Sequence, residues 1–151
     1  GFQNVSSYIQ SGNLIFETDM DSTDEISRAL HHLIKDQYGF DVPVITMSSS
    51  YLDEIIQQNP FAGKMGDNLK SVHVTFLSGQ PKPEYVASID PEPFKPDEFH
   101  FYVKAVYVYC PNGYGRTKLT NNFFEKQLDL SATSRNMKTV MKLAELAKPQ
   151  H

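Results

Sequence analysis

The sequence has 151 residues, of which 40% are hydrophobic, 21% charged and 12% aromatic, and its formal net charge is −4. This balance is typical of one medium-sized globular domain or two small ones, and it excludes a disordered or collagen-like chain. No apolar run approaches the ~20 residues of a membrane-spanning helix. A single cysteine, Cys110, excludes an internal disulfide framework and a thiolate-rich zinc site. We therefore expect a cytoplasmic protein with no membrane association, no metal and no cofactor.

The charge is distributed unevenly along the chain. Residues 1–111 carry seven basic and fifteen acidic side chains, a net charge of −8, whereas residues 112–151 carry seven basic and three acidic ones, a net charge of +4. A basic C-terminal quarter on an acidic body favours an anion-binding surface. The alternative is a solvated helix face with ordinary lysines.

The first sixty residues alternate between strand and helix patterns. Two extended runs within residues 4–17 are separated by Ser11-Gly12-Asn13, which predicts a β-hairpin. Ser22 begins a helix as its N-cap, and Gly39 ends that helix as a left-handed residue. The apolar stripe that predicts the buried face of this helix consists of Ile26, Ala29, Leu30, Leu33 and Ile34.

A short strand and a second helix complete the first half. Residues 42–47 are rich in β-formers, and Pro43 places this strand at a sheet edge because proline has no amide hydrogen to donate. Ser48-Ser49-Ser50 caps a helix at residues 51–58. We assign residues 1–60 to a first lobe, residues 61–70 to a linker and residues 71–151 to a second lobe.

The second half repeats and extends this order of elements. It predicts strands at residues 71–77, 99–104, 105–110 and 132–135, of which the middle two form a hairpin. It predicts helices at residues 82–89, 117–128 and 137–146. The order β-α-β-β-α-β is that of the ferredoxin-like fold, an antiparallel sheet with helices on one face. The first half shows the same order without its opening strand and helix. We therefore predict an α+β fold of two ferredoxin-like lobes, the first incomplete at its N-terminus.

The incomplete first lobe predicts an association. In a ferredoxin-like lobe the first strand is central, so its absence leaves residues 13–16 and 42–47 without their shared partner. We expect another segment of this chain to fill the gap, or a second molecule, which gives a homodimer.

Six motifs follow one another as they do in a known family. On these motifs the sequence resembles DUF1697, a bacterial family of unknown function, over essentially its whole length. The resemblance implies two ferredoxin-like lobes, with a leading strand and helix in full-length members, and it implies no activity. Met137 departs from the family, which often has tryptophan there. The motifs are Tyr8-Ile9-Gln10-Ser11-Gly12-Asn13 and residues 39–44, 59–61, 73–77, 113–121 and 133–143.

The first candidate anion site lies at residues 111–121. Two glycines precede a predicted helix whose first turn carries Arg116 and Lys118. Free amides and the positive end of the helix dipole favour an anion there, with Arg116 forking onto phosphate or carboxylate. The alternative is a strand-to-helix turn with Thr117 as N-cap and glycines that supply positive φ. The candidate residues are Gly113, Gly115, Arg116, Thr117 and Lys118.

The second candidate site opens the last helix. Lys138 and Lys142 are four residues apart and share one helix face. The candidate residues are Thr133-Ser134-Arg135-Asn136 with Lys138, Thr139 and Lys142. We predict that these groups and the first candidate site form one electropositive patch. The alternative is an N-cap at Asn136 with solvated lysines. A third polar cluster, more typical of turn chemistry than of ligand contacts, consists of Tyr8, Gln10, Ser11 and Asn13.

No set of residues forms a convincing catalytic group, so the sequence leaves open whether the protein is an enzyme. Cys110 ends an apolar β-run, which predicts a buried and inert thiol. The histidines lack metal-ligand spacing, and His73 is expected on the face of its strand opposite Val72 and Val74.

Two classes of function follow. The first is a non-catalytic binding module that takes a phosphate-containing ligand on the basic C-terminal face, or single-stranded nucleic acid on an aromatic hairpin. The second is an enzyme that acts on a small phosphorylated or carboxylated metabolite in the cleft between the lobes. The lack of an identifiable acid, base or nucleophile favours the binding module. The aromatic residues of this hairpin are Phe99, Phe101, Tyr107 and Tyr109. The alternative is that these side chains pack in the core.

Overall fold

The computed structural model describes residues 2–8 and 12–148, which form an α+β protein with two antiparallel sheets, as predicted. No helix among these residues is long and apolar enough to span a membrane. The strands are β1 (Phe2–Tyr8), β2 (Asn13–Thr18), β3 (Val72–Leu77), β4 (Glu98–Tyr102), β5 (Ala105–Tyr109) and β6 (Ala132–Asn136). The helices are α1 (Thr23–Tyr38), α2 (Ser49–Gln57), α3 (Ala62–Met65), α4 (Pro83–Ala87), α5 (Asn121–Leu128) and α6 (Met137–Leu146).

The larger sheet contains four strands in the order β4-β5-β3-β6. Every neighbouring pair is antiparallel, with Val74 of β3 opposite Tyr107 of β5 and Thr75 of β3 opposite Ser134 of β6. From β3 to β6 the chain follows the predicted β-α-β-β-α-β order. This topology places β6, which carries the second candidate site, at one edge of the sheet.

Helices cover both faces of this sheet. On one face α2 and α6 pack against Val74 and Tyr107, and on the other face Phe124 of α5 packs against Val106. Tyr107 is fully buried, and its hydroxyl donates to the carbonyl oxygen of Ile55 at 2.8 Å, which fixes α2 to the sheet. The division into two lobes with a linker at residues 61–70 stays a prediction, and α2 packs on the sheet assigned to the second lobe.

The predicted hairpin and first helix are confirmed. β1 and β2 pair antiparallel, and Ser22 caps α1 by accepting a hydrogen bond from the Glu25 amide at 3.2 Å. Gly39 ends α1 with φ 74°, the left-handed conformation that glycine adopts without strain. The apolar stripe is narrower than predicted, since Ile26 is buried whereas Leu33 is 50% exposed.

The predicted strand at residues 42–47 is wrong. These residues form no strand, because several of their polar groups bond to side chains of α1 rather than to a neighbouring strand. His31 Nδ1 donates to the Val42 carbonyl oxygen at 2.7 Å, and the Ser27 hydroxyl donates to Thr46 Oγ1 at 2.7 Å. The expected filling of a gap beside this segment, by this chain or by a second copy, stays a prediction.

Candidate anion-binding site

The Arg135 side chain joins the edge strand β6 to the first residue of β2. Its Nε donates to Asn13 Oδ1 at 2.8 Å, while Nη1 donates to Thr133 Oγ1 at 2.7 Å and to the Ser134 carbonyl oxygen at 2.8 Å. Half-burial of the guanidinium lowers the pKa of Arg135, because desolvation disfavours the charged form. The acceptors of these three bonds are neutral oxygens, and the bonds orient the guanidinium plane.

Helix α6 begins directly after this arginine. Asn136 is its N-cap, since Asn136 Oδ1 accepts from the Thr139 amide at 2.8 Å, as the alternative interpretation of this segment predicts. Lys138 is exposed in the first turn. Lys142 lies one turn further on, and its Nζ is 3.7 Å from Glu145 Oε2. Lys138 is therefore the lysine of this segment that follows Arg135 most closely.

The third polar cluster meets the second candidate site at Asn13. Asn13 is buried at the start of β2 and accepts from Arg135, so it does more than close a turn. Gln10 and Ser11 lie outside the described residues, as does the side chain of Tyr8. Thr133 belongs to the second candidate site predicted from the sequence. It lies two residues before Arg135, on the same face of one strand, and accepts from that side chain.

The glycine segment is not a helix start. Gly113 has a positive φ of 97° and leads into a 3₁₀ turn at Tyr114–Arg116. α5 begins at Asn121, with Thr120 as its cap, so the predicted helix at 117–128 is wrong in its first turn. Arg116 and Lys118 are exposed ahead of the helix, and the expected gain from its dipole does not apply to them.

A hydrogen-bonded network fixes this segment to the sheet. The Tyr114 hydroxyl donates to Ser134 Oγ at 3.3 Å, and Ser134 donates to Asn121 Oδ1. Since the Ser134 proton is used there, the 2.7 Å contact between Thr75 Oγ1 and Ser134 Oγ has Thr75 as donor. The Ser134 hydroxyl thus donates once and accepts twice, which saturates its hydrogen-bonding capacity.

The two candidate anion sites contact β6 through neighbouring residues of that strand. Ser134 and Arg135 are consecutive residues of β6, so their side chains point to opposite faces of the sheet. Tyr114 contacts Ser134 on one face, and Arg135 contacts Asn13 on the other. Within residues 2–8 and 12–148, no contact joins Arg116 to the Arg135 site. The single electropositive patch stays a prediction.

His73 lies under the same loop. Val72 and Val74 pack in the core formed with α2 and α6, while the His73 ring contacts Tyr114 edge-on at 4.0 Å between centroids. Its Nδ1 is buried and has no hydrogen-bond partner among the described residues. Burial lowers the pKa of His73 to about 4, since a charged imidazolium is poorly solvated there.

Acid should therefore destabilise the protein through His73. The unfolded chain binds a proton near its ordinary pKa of about 6.5, whereas the folded state resists protonation down to about 4. The stabilisation that depends on neutral His73 is therefore complete above the ordinary pKa of about 6.5. As the pH falls from there to about 4, the free energy of unfolding decreases by about 2 kcal/mol, after allowing for partial solvent screening. Urea denaturation at a series of pH values measures it.

Two variants isolate this effect from that of the carboxylates. His73→Gln should flatten the loss of stability over this pH range. His100→Gln removes an exposed histidine on β4 and should leave the slope unchanged. If the free energy of unfolding changed with pH equally in the wild type and both variants, His73 would be protonating freely in the folded state.

The remaining reactive groups are engaged in the fold. Cys110 is 1% exposed, and burial raises the pKa of its thiol to about 11, as expected for an inert cysteine. In the part of the chain that the structure describes, no three His, Cys, Asp or Glu residues are arranged to hold a metal ion.

The aromatic hairpin is packed in the cores. Phe99 and Phe101 contact the ring of Phe124, with centroids 6.3 and 6.1 Å apart. Tyr107 is fully buried, and Tyr109 stacks on Phe61 at 5.6 Å. These four rings therefore stabilise the sheet, with Tyr107 fully buried and the other three partly buried.

The fold and site define a two-sheet α+β protein with a fixed guanidinium at a sheet edge. The chain belongs to DUF1697, a family of proteins of unknown function, whose model matches residues 1–107, and the predicted family is thereby confirmed. The motifs at residues 113–121 and 133–143 lie outside this match. This match includes Asn13 and ends before Arg135.

A solved structure shares this fold. The conserved bacterial protein SP0830 from Streptococcus pneumoniae is similar with a TM-score of 0.71 and 21% sequence identity, over 99% of this chain and 83% of that chain. At this identity the likeness concerns the fold alone. No curated protein matches the sequence.

Proposed function

We propose that this protein is a non-catalytic binding module that holds a phosphate-containing ligand beside β6, on the basic face of its second, ferredoxin-like unit. Arg135 is the anchor of this site. Its guanidinium is half-buried and held in a fixed orientation by hydrogen bonds to the neutral oxygens of Asn13, Thr133 and Ser134. This geometry is the main support for the proposal. A guanidinium with a fixed plane presents its charge to phosphate with little loss of side-chain freedom.

The surroundings support an anionic ligand. Lys138 is exposed in the turn that follows Arg135, and residues 112–151 carry a net charge of +4. The first turn of α6 begins at Met137, two residues after the anchor, and the N-terminal end of a helix carries partial positive charge.

Two observations favour binding over catalysis and a small ligand over nucleic acid. The Ser134 hydroxyl is saturated and the Cys110 thiol is buried, so neither supplies a nucleophile. The aromatic side chains of the hairpin pack in the cores, which leaves charge rather than base stacking to hold the ligand.

Calorimetric titration with inorganic pyrophosphate tests this proposal. Arg135→Gln should weaken binding about ten-fold or more, because it removes a charged and forked contact. Arg116→Gln is the matched control, since it removes the same charge from the glycine segment, and its affinity should stay within about two-fold of the wild type. A larger loss in Arg116→Gln, or unchanged affinity in Arg135→Gln, would contradict the assignment of Arg135.

A second titration distinguishes the ligand classes. If the ligand is a small phosphate compound, single-stranded oligonucleotides should bind no more tightly than pyrophosphate. Much tighter oligonucleotide binding with a steep salt dependence would instead assign nucleic acid as the partner. Absence of binding to both probes at millimolar concentration would overturn the proposed function.

A further inference from the structure

A cleft lies between α1 and the second sheet, on residues that the proposed site does not use. Its wider part has a volume of about 240 Å³, and a narrower part of about 50 Å³ adjoins it. Ser27, Val44 and Ser78 line both parts, so the two form one continuous space. The walls come from the N-terminal half on one side and from the ends of β3 and β6 on the other.

The wall formed by α1 carries a row of side chains directed along the cleft. Asp24, Arg28 and His32 are spaced four residues apart, which places them on one helix face. Arg28 and His32 line the wide part, and Asp24 lines the narrow part. Arg28 makes no ion pair with any residue that the structure describes, so its five N–H groups are available to a ligand.

His31 holds the outer wall in place. Its Nδ1 lies 2.7 Å from the Val42 carbonyl oxygen, and its Nε2 lies 3.1 Å from Asp41 Oδ1. These two contacts fix residues 41–42 against α1 beside Arg28.

The opposite wall contributes a hydroxyl donor. Ser78 Oγ accepts from the Ser131 amide at 3.0 Å, and the Ser78 amide donates to the Ser131 carbonyl oxygen at 2.9 Å. No described residue accepts the Ser78 hydroxyl proton. The wide part of the cleft thus has a guanidinium and a hydroxyl as donors, and no carboxylate is among the residues that line it.

We propose that this cleft is a second anion site, which takes an oxyanion of a few heavy atoms, phosphate or a short carboxylate, with Arg28 as its principal contact. The wide part is open to solvent, and its volume of about 240 Å³ accommodates an oxyanion of this size. The narrow end carries one acidic and one basic side chain, Asp24 and Lys104. Removal of the Asp24 charge alone should therefore strengthen the binding of an anion, which makes the proposal testable by a gain of affinity.

Titration of the full chain with inorganic phosphate, followed by the NMR signals of the His32 ring and of the Arg28 Nε–H group, tests this site. We expect saturable shifts of both signals. From the His32 signal, Arg28→Gln should weaken binding about ten-fold, through loss of a charged forked contact. Asp24→Asn should strengthen it about three-fold, the size expected for removing one like charge a helical turn away in water.

Two further variants make the outcome specific. Lys35→Gln removes a charge from the same helix outside the cleft and should leave the affinity unchanged. Arg135→Gln, which removes the anchor of the site beside β6, should also leave the shifts at His32 intact. Absent or non-saturating shifts, equal effects of the Arg28 and Lys35 variants, or loss of the shifts in Arg135→Gln would each overturn the cleft site. The last result would leave the proposed function standing.

Discussion

Replacement of Phe124 by alanine should lower the free energy of unfolding by about 3–5 kcal/mol, the usual cost of truncating a buried phenylalanine. The Phe124 ring is 0% exposed and lies at the centre of the core formed with α5. It contacts the rings of Phe99, Phe101 and Phe123, with centroids 6.3, 6.1 and 5.2 Å apart. The loss therefore combines removed contacts with a cavity that three bulky neighbours cannot easily fill. Urea denaturation followed by circular dichroism measures it.

Phe40→Ala is the matched control. The Phe40 side chain is 63% exposed just after α1, so its truncation should change the stability by less than about 1 kcal/mol. Similar losses in the two variants would contradict the core described here, because they would mean that burial does not set the contribution of a phenylalanine.

Replacement of Ser134 by alanine should lower the free energy of unfolding by about 2–3 kcal/mol. The change removes one hydroxyl that serves three partners, Tyr114, Thr75 and Asn121. Thr75 is fully buried and the other two partners are partly buried, so water replaces the lost bonds incompletely. The same denaturation experiment measures the loss, and the amide signals of Tyr114 to Arg116 should shift because the loop loses its attachment to β6.

Ser88→Ala serves as the control for this variant. The Ser88 hydroxyl is exposed and makes one bond, to the Tyr85 carbonyl oxygen at 2.7 Å. Its removal should cost less than about 1 kcal/mol. If Ser134→Ala is no more damaging than Ser88→Ala, the Ser134 hydroxyl is not the centre of a network, and it becomes available for other chemistry.

Helix ends set by a local hydrogen bond are predictable from the sequence. Ser22, Ser48 and Asn136 each accept a bond from the amide three residues on, and only neighbouring residues decide such a cap. The hairpin and the last helix are predictable for the same reason, since their signals lie within a few residues of one another.

The start of α5 depends on more than local signals. Thr117 and Thr120 both offer a hydroxyl at a cap position, and the structure uses both of them. Thr117 Oγ1 accepts from the Leu119 amide at 3.1 Å, and Thr120 Oγ1 accepts from the Phe123 amide at 3.3 Å. Leu119 is fully buried, so tertiary packing selects a turn at Thr117 and the helix after Thr120. Sequence patterns alone do not rank the two threonines.

The candidate site shows the same division between local and long-range information. Asn13 and Arg135 each belong to a motif that stands out in the sequence, but 122 residues separate them. Nothing local predicts that these two side chains meet. The glycine segment carries a stronger local pattern around Arg116, yet the structure gives that side chain no fixed partner among the described residues.

The NMR signals of the arginine Nε–H groups provide the most direct test of the Arg135 site. The sequence contains three arginines, Arg28, Arg116 and Arg135, so the signals are few enough to assign by substitution. On titration with pyrophosphate, the Arg135 Nε–H signal should shift in a saturable manner while the Arg116 signal stays in place. A saturable shift of the Arg116 signal with an unmoved Arg135 signal would contradict the account.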